Sequence, residues 1–239
     1  MTAGPPPARR APAVVPDARM SKTLHLGLCV LEVLAEHPQG LTMSELAELN
    51  AVHRTVVHRL VATLEAHALV RRDSGKRFFL GTGLVTLAEP VESDLRTLAK
   101  PVLERLADEL RATAHLVVRE SDRHVRALLV VEPRSAAVHV AFRTGQLDDI
   151  DRGSAGLAIL AALPPVPGER EEVAVARGRG YAVSFGEVVP SLHGISSAVP
   201  HRRPHTLASI GVSTFDAADE AALGRAVAAA AAEVGRLLR

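Results

Sequence analysis

Residues 42–80 read TMSELAELNAVHRTVVHRLVATLEAHALVRRDSGKRFFL, and this stretch decides the fold of the first part of the chain. Thr42 and Glu45 have the spacing of a capping box, which predicts that a short helix begins here. Apolar residues at helical spacing predict a longer helix over 52–68, and a turn at 73–75 joins two short strands. Two helices followed by a hairpin form a winged helix-turn-helix, a motif that lays one helix into the major groove of DNA.

The first two helices are predicted from the same apolar periodicity. A first helix is predicted over 23–37 and ends before Pro38. The short helix runs over 42–49, and Asn50 is expected to take the left-handed conformation that often ends a helix.

The longer helix has a core face and an exposed face. Val57, Leu60 and Leu64 share the core face, and the opposite side carries polar and basic residues that can contact base edges. Arg54 has the donors that pair with a guanine. The candidate base-contacting residues are His53, Arg54, Thr55, His58 and Arg59.

Basic charge is concentrated on this segment, although the formal net charge of the chain is only +1. Six Lys and Arg residues against two acidic ones lie between His53 and Phe79, whereas four acidic residues and no Lys or Arg lie between Leu24 and Val52. Such focusing is typical of a phosphate-binding surface. The candidate phosphate-contacting residues are Thr42 and Ser44 in the short helix, and Arg71, Arg72, Lys76 and Arg77 in the hairpin.

Each of these residues also has an ordinary interpretation. A basic residue on a helix surface is about as often a solvated side chain. His53 and His58 are better explained as surface or capping residues than as metal ligands, because no Cys or carboxylate cluster accompanies them. Of Phe78 and Phe79, one is expected to pack on the helices, since neighbours on a strand point to opposite faces. The order of the elements therefore carries the DNA-binding prediction, and no metal or cofactor is predicted.

The second part of the chain changes from a helical to a strand-like pattern near residue 113. Residues 84–110 are predicted to be helical, with Pro90 and Pro101 as breaks or first-turn positions. The mixture of strands and helices that follows predicts an α+β domain. The predicted strands lie at 113–119, 125–131, 138–143, 181–185, 194–199 and 207–213, and the predicted helices at 154–163 and 217–239.

Composition bears on the ends and the location of the chain. Five prolines and little apolar content predict that residues 1–20 form a disordered arm, and Met20 is an alternative start. No apolar run approaches the roughly 20 residues of a membrane span. The single cysteine, Cys29, fits a reducing, cytoplasmic compartment.

Enzyme motifs are incomplete in this sequence. The segment Gly153-Ser154-Ala155-Gly156 lacks the spacing of a nucleophile elbow. The segment Gly81-Thr82-Gly83 does not continue into a dinucleotide or phosphate-binding loop. No catalytic residue is predicted, and a protein-interaction module or a hydrolase built on the second domain is the weaker alternative.

Six segments resemble the IclR family of bacterial transcriptional regulators, in the family's order over 21–239. They are TVVHRLVATLEAHALV (55–70), RFFLGTGLVTL (77–87), DLRTLAKPVLERLADEL (94–110), GSAGLAILAALP (153–164), RGRGYAVSFGE (179–187) and GISSAVP (194–200). The resemblance implies a winged helix-turn-helix over 21–83, a linker helix over 84–95 used in dimerisation, and a GAF-like α+β effector-binding domain over 96–239. It also implies homodimers or tetramers on pseudo-palindromic operators in double-stranded DNA, commonly repressors that respond to small organic acids.

The resemblance further implies an effector pocket in the second domain. Backbone N–H groups at Ser154–Gly156, at the start of a helix, suit a carboxylate, although Ser154 is equally a candidate helix N-cap. Leu157 stands where the family usually has a basic residue, and the stretch between Leu163 and Gly180 is shorter than the family's pattern. The matching pocket positions are Gly153, Ser154, Ala155, Ser184, Gly194, Gly211 and Ser213.

Two of these matching positions weaken the ligand prediction. Gly194 and Gly211 stand where polar side chains can occur, so fewer groups are expected to hold a ligand. A regulator of the same fold that binds no effector is therefore the alternative.

Overall fold

The computed structural model describes residues 19–135, 142–200 and 207–238. The chain divides into two compact units, and the division falls after Val91. The predicted arm over 1–20 and the predicted strand over 138–143 lie largely outside the described residues. None of the helices among the described residues is long and apolar enough to cross a membrane.

The described part of the first unit contains four helices and a hairpin. Its elements are α1 (Lys22–Glu36), α2 (Met43–Leu49), α3 (Arg54–Ala66), β1 (Val70–Arg72), β2 (Phe78–Leu80) and α4 (Gly83–Ala88). The apolar faces of α1, α2 and α3 meet in a core that includes Val30, Leu46 and Val57, each with no exposed surface. Phe78 joins this core from β2. One phenylalanine of the pair thus packs on the helices, as the strand alternation predicts.

The turn between α2 and α3 differs from the prediction at Asn50. Asn50 lies in the right-handed region with φ −89°, and its side-chain amide donates to Leu46 O at 2.8 Å. Ala51 takes the left-handed conformation instead, with φ 51°. The prediction for Asn50 was wrong because its amide caps a carbonyl of α2 and leaves the next residue to reverse the chain.

The predicted linker helix over 84–95 is interrupted. The helix α4 ends at Ala88 before Pro90, and α5 (Ser93–Leu110) begins after Glu92, whose φ is 46°. Pro101 lies inside α5 rather than at a break. The α5 face that includes Ala99, Val102 and Leu103 is buried, and this packing offsets the missing backbone donor.

Among the described residues, the second unit contains a six-stranded antiparallel sheet in the order β5-β4-β3-β8-β7-β6. The strands are β3 (Thr113–Arg119), β4 (His124–Val131), β5 (Leu147–Asp149), β6 (Ala182–Phe185), β7 (His193–Ala198) and β8 (Ala208–Thr214). The helices after α5 are α6 (Gly153–Ala161), α7 (Glu171–Arg179) and α8 (Glu220–Leu237). The predicted α+β class is confirmed, while β5 and α7 were not predicted.

The two faces of the sheet pack against different helices. Leu116, Ile195 and Ile210 lie in one core with residues of α5 and α8. Val117, the neighbour of Leu116 on β3, lies in a second core with Ile159 of α6. Both sides of β3 are therefore buried. A cavity lies on the α6 side of the sheet.

Candidate DNA-binding surface and ligand pocket

The exposed face of α3 carries every candidate base-contacting residue. Val57, Leu60 and Val61 of α3 are buried in the core, so the other side of the helix faces solvent. His53 is the N-cap of α3: its Nδ1 accepts from the backbone N–H of Thr55 and lies 2.9 Å from Thr55 Oγ1. The exposed residues are His53, Arg54, Thr55, His58 and Arg59.

The hairpin adds basic side chains on one side of this unit. Arg71, Arg72 and Lys76 are exposed. The guanidinium of Arg71 lies 4.4 Å from the ring centre of Phe79, which restricts its orientation without removing its charge. Lys76 has φ 63° and lies in the turn rather than in β2, because its N–H closes the turn onto Asp73 O.

Arg77 makes contacts within its own unit. Its guanidinium donates to the carbonyl oxygens of Gln39 and Gly40 and to the carboxylate of Glu45. That carboxylate also accepts from Thr42 N–H at 2.7 Å, while Thr42 Oγ1 accepts from Glu45 N–H. These contacts, the Thr42 N–H bond first, lower the pKa of Glu45. The predicted capping box is confirmed, and both Thr42 and Arg77 are engaged in holding α2, whereas Ser44 is exposed.

The second unit contains a cavity of about 40 Å³ between α6 and the sheet. A cavity on that measure needs about 10–15 Å³ to hold one water, so this one has room for about three waters. Apolar side chains that include Val117, Val125 and Phe142 form much of its wall. Six of the seven predicted pocket positions line it: Gly153, Ser154, Ala155, Ser184, Gly194 and Ser213.

A buried polar chain runs along one wall of the cavity. Ser154 N–H donates to Ser184 Oγ at 2.9 Å, and Ser154 Oγ lies 2.8 Å from Ser196 Oγ. Ser196 Oγ in turn lies 3.4 Å from His115 Nε2. Ser154 is the second residue of α6, whose N-cap is Arg152. The N-cap interpretation of Ser154 was therefore wrong, because its hydroxyl points to the sheet.

The two pocket glycines, Gly194 and Gly211, make room for these buried polar side chains. A Cβ at Gly211 would lie 2.1 Å from Ser196 Oγ and 2.5 Å from His115 Nε2. A Cβ at Gly194 would lie 2.7 Å from Ser154 Oγ and 2.9 Å from Ser184 Oγ. Both glycines thus permit polar groups to approach the strands. Gly211 packs against Ser196 and His115 and does not line the cavity.

His115 lies in the cavity wall, and the sequence patterns did not identify it. It is 3% exposed, and its ring centre lies 5.0 Å from that of Phe142. Burial lowers the pKa of His115 from 6.5 to about 4, so the imidazole is neutral near pH 7. Within the described residues its Nδ1 has no hydrogen-bond partner. Because all but the last residue of β3 are buried, the strand has no alternation that would single out His115.

The start of α6 is occupied by a carboxylate of the chain itself. Glu187 Oε2 accepts from Gly153 N–H at 2.8 Å, and Arg170 donates to both carboxylate oxygens at 3.1 and 2.9 Å. Arg152 donates to the backbone oxygen of Glu187 at 2.5 Å. The Arg170 guanidinium, more than any other group, lowers the pKa of Glu187. The N–H groups of Gly153 and Ser154 thus have partners within the chain, so of the three N–H groups expected to suit a carboxylate, that of Ser154 is already bonded.

Acidic, histidine and cysteine side chains do not gather into a metal centre in the part of the chain that the structure describes. Over those ranges, no group of three or more His, Cys, Asp or Glu side chains can hold a metal ion.

Comparison with known proteins shows that the chain is similar to transcriptional regulators. A profile of the IclR helix-turn-helix domain matches residues 24–74. The transcriptional regulator KipR of Bacillus subtilis is 24% identical over 221 residues, which cover 82% of this chain and 87% of KipR. The regulator TtgV of Pseudomonas putida is 31% identical over 136 residues, covering 56% of this chain and 52% of TtgV.

Solved structures share the fold of this chain. An IclR homologue from Microbacterium hydrocarbonoxydans, in complex with 4-hydroxybenzoate, superposes with a TM-score of 0.78 at 23% identity, covering 91% of this chain and 99% of the homologue. An IclR regulator from Alicyclobacillus acidocaldarius has a TM-score of 0.76 at 24% identity, covering 92% of this chain and all of that one. These matches agree with the predicted order of a helix-turn-helix domain followed by an α+β domain.

Proposed function

The chain belongs to the IclR family of transcriptional regulators, and on this premise we propose that it binds an operator through the exposed face of α3 and the basic hairpin. It is a DNA-binding regulator rather than an enzyme, as its relatives are. The observation that carries the proposal is the solvent-facing row of polar and basic side chains on α3, opposite a face that is fully used in the core.

The proposed contacts with DNA fall into two classes, those to base edges and those to phosphates. Arg54, in the first turn of α3, has the paired donors that suit a guanine edge, and Thr55 and His58 are its neighbours on the exposed face. His53 and Arg59 flank them. Ser44 of α2 and the hairpin cations Arg71, Arg72 and Lys76 are proposed to contact phosphates, which set position and affinity but not sequence. Thr42 and Arg77 support this surface through their contacts with Glu45.

The proposed partner is double-stranded DNA bound by a homodimer or a tetramer. Apolar side chains on α1 and α4 are highly exposed in the single chain, among them Leu24 at 63%, Val85 at 72% and Leu87 at 62%. Exposed apolar residues of this kind mark interaction sites. A second copy covering them would bring two α3 helices onto a pseudo-palindromic operator, as the symmetry of such sites requires.

The cavity in the second unit is proposed to bind a small organic effector that controls operator binding. A neighbour in fold is complexed with 4-hydroxybenzoate, and the cavity here combines an apolar wall with a few polar groups, as ligand sites do. Release of the operator on effector binding, and therefore repression, is the proposed mode of action. The proposed location is the cytoplasm, where the operator is.

Selection of bound duplexes from a random pool by the full chain tests the proposal. We expect enrichment of an inverted repeat whose half-sites are one helical turn or a multiple of it apart. Recovery of the pool without any enriched sequence would overturn operator binding. The selected duplex then supplies the ligand for titrations with the wild-type chain and its variants.

A further inference from the structure

The hairpin of the first unit is bonded to the loop that precedes α2. Leu41 N–H donates to Phe78 O at 3.0 Å, and Phe78 N–H donates to Leu41 O at 2.7 Å. The guanidinium of Arg77 donates to Gly40 O at 2.8 Å. The strand β2 therefore has a fixed position relative to the helices of this unit, and so do the side chains that it carries.

The ring of Phe79 packs against the same loop. Phe79 follows Phe78 on β2 and points to the opposite face of the hairpin, where it is half-buried. A Cβ at Gly40, whose φ is 71°, would lie 2.5 Å from Cζ of Phe79 and 2.6 and 2.9 Å from its two Cε atoms. The ring therefore reaches the loop only because Gly40 has no side chain.

The guanidinium of Arg71 lies over this ring. Arg71 and Phe79 are directly opposite each other in the register of β1 and β2. The guanidinium carbon is 4.4 Å from the ring centre, which is a cation–π contact. The neighbouring Arg72 lies over a different ring, that of Phe78, at 5.3 Å. The two arginines of β1 thus have separate aromatic partners.

Such a contact affects binding through the conformational entropy of the arginine. A long side chain loses rotamer freedom when it binds a phosphate, and this loss opposes binding. A ring that holds the guanidinium in one orientation beforehand reduces the loss on binding. Stacking on the ring uses the face of the guanidinium, so its N–H donors at the edge stay available to phosphate oxygens.

We propose that Phe79 is a positioning residue for DNA binding, which holds the guanidinium of Arg71 in the orientation that contacts a phosphate. The inference rests on the proposed function, which assigns Arg71 to a phosphate of the operator. Gly40 takes part because it lets the ring pack on the loop. The effect of Phe79 on affinity therefore depends on the presence of Arg71.

A double-mutant cycle tests this dependence by fluorescence anisotropy on the selected operator. Arg71→Ala should weaken binding by about eight-fold for each bound subunit at roughly 0.1 M salt, the loss that a salt slope of about 0.9 per phosphate gives. Phe79→Leu should weaken binding by about two- to five-fold for each bound subunit, as part of the ordering cost of one long side chain. In the Arg71→Ala background, Phe79→Leu should have no further effect.

The matched control is the same cycle with Arg72→Ala. Phe79→Leu should weaken this variant by the same factor as the wild-type chain, because Arg72 does not lie over that ring. A hairpin that is merely loosened by loss of the ring would weaken binding in both arginine backgrounds. Phe79→Met, with an unbranched apolar side chain, is the second variant, and a thermal melt followed by circular dichroism identifies the substitution that keeps the wild-type fold.

The outcomes separate the inference from the proposed function. An equal loss in the Arg71→Ala and Arg72→Ala backgrounds, or no loss on replacing Phe79 in the wild-type chain, overturns the positioning role while operator binding stands. Wild-type affinity of Arg71→Ala also overturns it, and the role of α3 is then judged from Arg54→Ala. If the selection yields no operator, the proposed function fails, and the same cycle on a duplex of arbitrary sequence decides the inference, because phosphate contacts do not depend on sequence.

Discussion

Arg54 is the residue on which sequence recognition is expected to depend most. Its side chain is exposed in the first turn of α3, and a paired contact of Arg with guanine contributes roughly 1–3 kcal/mol of discrimination. We expect Arg54→Ala to weaken binding to the selected operator by about 5- to 150-fold and to relax the preference at one base pair. Fluorescence anisotropy with wild-type and single-base variant duplexes measures both effects.

The matched control for Arg54 is Arg225→Ala, which removes an exposed arginine from α8 in the second unit. That variant should bind the operator like the wild-type chain. Equal affinity of Arg54→Ala and the wild-type chain for the operator would show that α3 does not recognise the DNA through this residue.

His115 makes the stability of the second unit depend on pH. Its pKa is about 4 in the folded chain against 6.5 as the ordinary value, so between these values the unfolded chain binds the proton and the folded chain does not. The stabilisation is complete above pH 6.5 and disappears as the pH falls towards 4. The shift corresponds to roughly 3 kcal/mol.

Urea unfolding at pH 7, 6 and 5 measures this dependence. Tyr181 is the single tyrosine and the chain has no Trp, so intrinsic fluorescence reports the second unit. We expect His115→Gln to lose less stability on acidification than the wild-type chain, by up to about 1.4 kcal/mol per pH unit. His193→Gln on β7 is the matched control. Identical pH dependence in His115→Gln and the wild-type chain would contradict the buried neutral imidazole.

At the scale of elements, the sheet holds the buried polar chain only because Gly211 lacks a side chain. A Cβ there would meet Ser196 Oγ and His115 Nε2 below 3 Å, and such overpacking typically costs about 1–3 kcal/mol. Gly211→Ala should therefore lower the urea midpoint of the second unit. Gly178→Ala, in the helix α7, should instead be neutral or stabilising by about 0.5–1 kcal/mol. Similar midpoints for the two variants would contradict the close packing at Gly211.

Elements with strong local signals were predictable. The apolar spacing in α1, α3 and α8 and the capping box of α2 identify these helices from the sequence. The helix α7, EEVAVARGR, was missed because only Val173 and Ala176 are buried. Ion pairs such as Arg177 with Glu169 help to fix it. The strand β5 was missed because it has only three residues, Leu147–Asp149, and pairs at the edge of the sheet with β4.

The candidate site was predictable from the sequence only in part, because many of its contacts join residues that are far apart in the chain. Exposed basic residues on a periodic helix such as α3 can be identified from spacing. The partners of Ser154 and Gly153 cannot, because Ser184, Ser196 and Glu187 are brought to α6 by long-range packing. Likewise, the inward turn of Arg77 follows from its bonds to Gly40 and Glu45, which lie 37 and 32 positions away.

At the scale of the whole molecule, self-association is expected to control DNA affinity. Two linked DNA-binding units bind DNA about 10²- to 10⁴-fold more tightly than one unit. The double substitution Val85→Asp and Leu87→Asp places charges on exposed apolar positions of α4, and we expect it to give a monomer by light scattering and about 100-fold weaker operator binding.

The control for the α4 variant is Val166→Asp, which changes a similarly exposed valine of the second unit. It should leave both the mass and the affinity unchanged. A wild-type chain that is monomeric at micromolar concentration, or an α4 variant that keeps the wild-type mass, would refute the proposed role of these side chains.

The central claim is that the exposed face of α3 and the basic hairpin form the DNA-binding surface, and a salt titration tests it most directly. Anisotropy of the selected operator, measured with the wild-type chain and with Arg72→Ala over a range of salt concentrations, should give log affinity falling linearly with log salt. The slope should shrink by about 1 for each phosphate that a subunit of the variant no longer neutralises. Either of two results would contradict the claim. The first is operator binding that does not depend on salt. The second is a slope for Arg72→Ala equal to that of the wild-type chain, together with an unchanged operator affinity of Arg54→Ala.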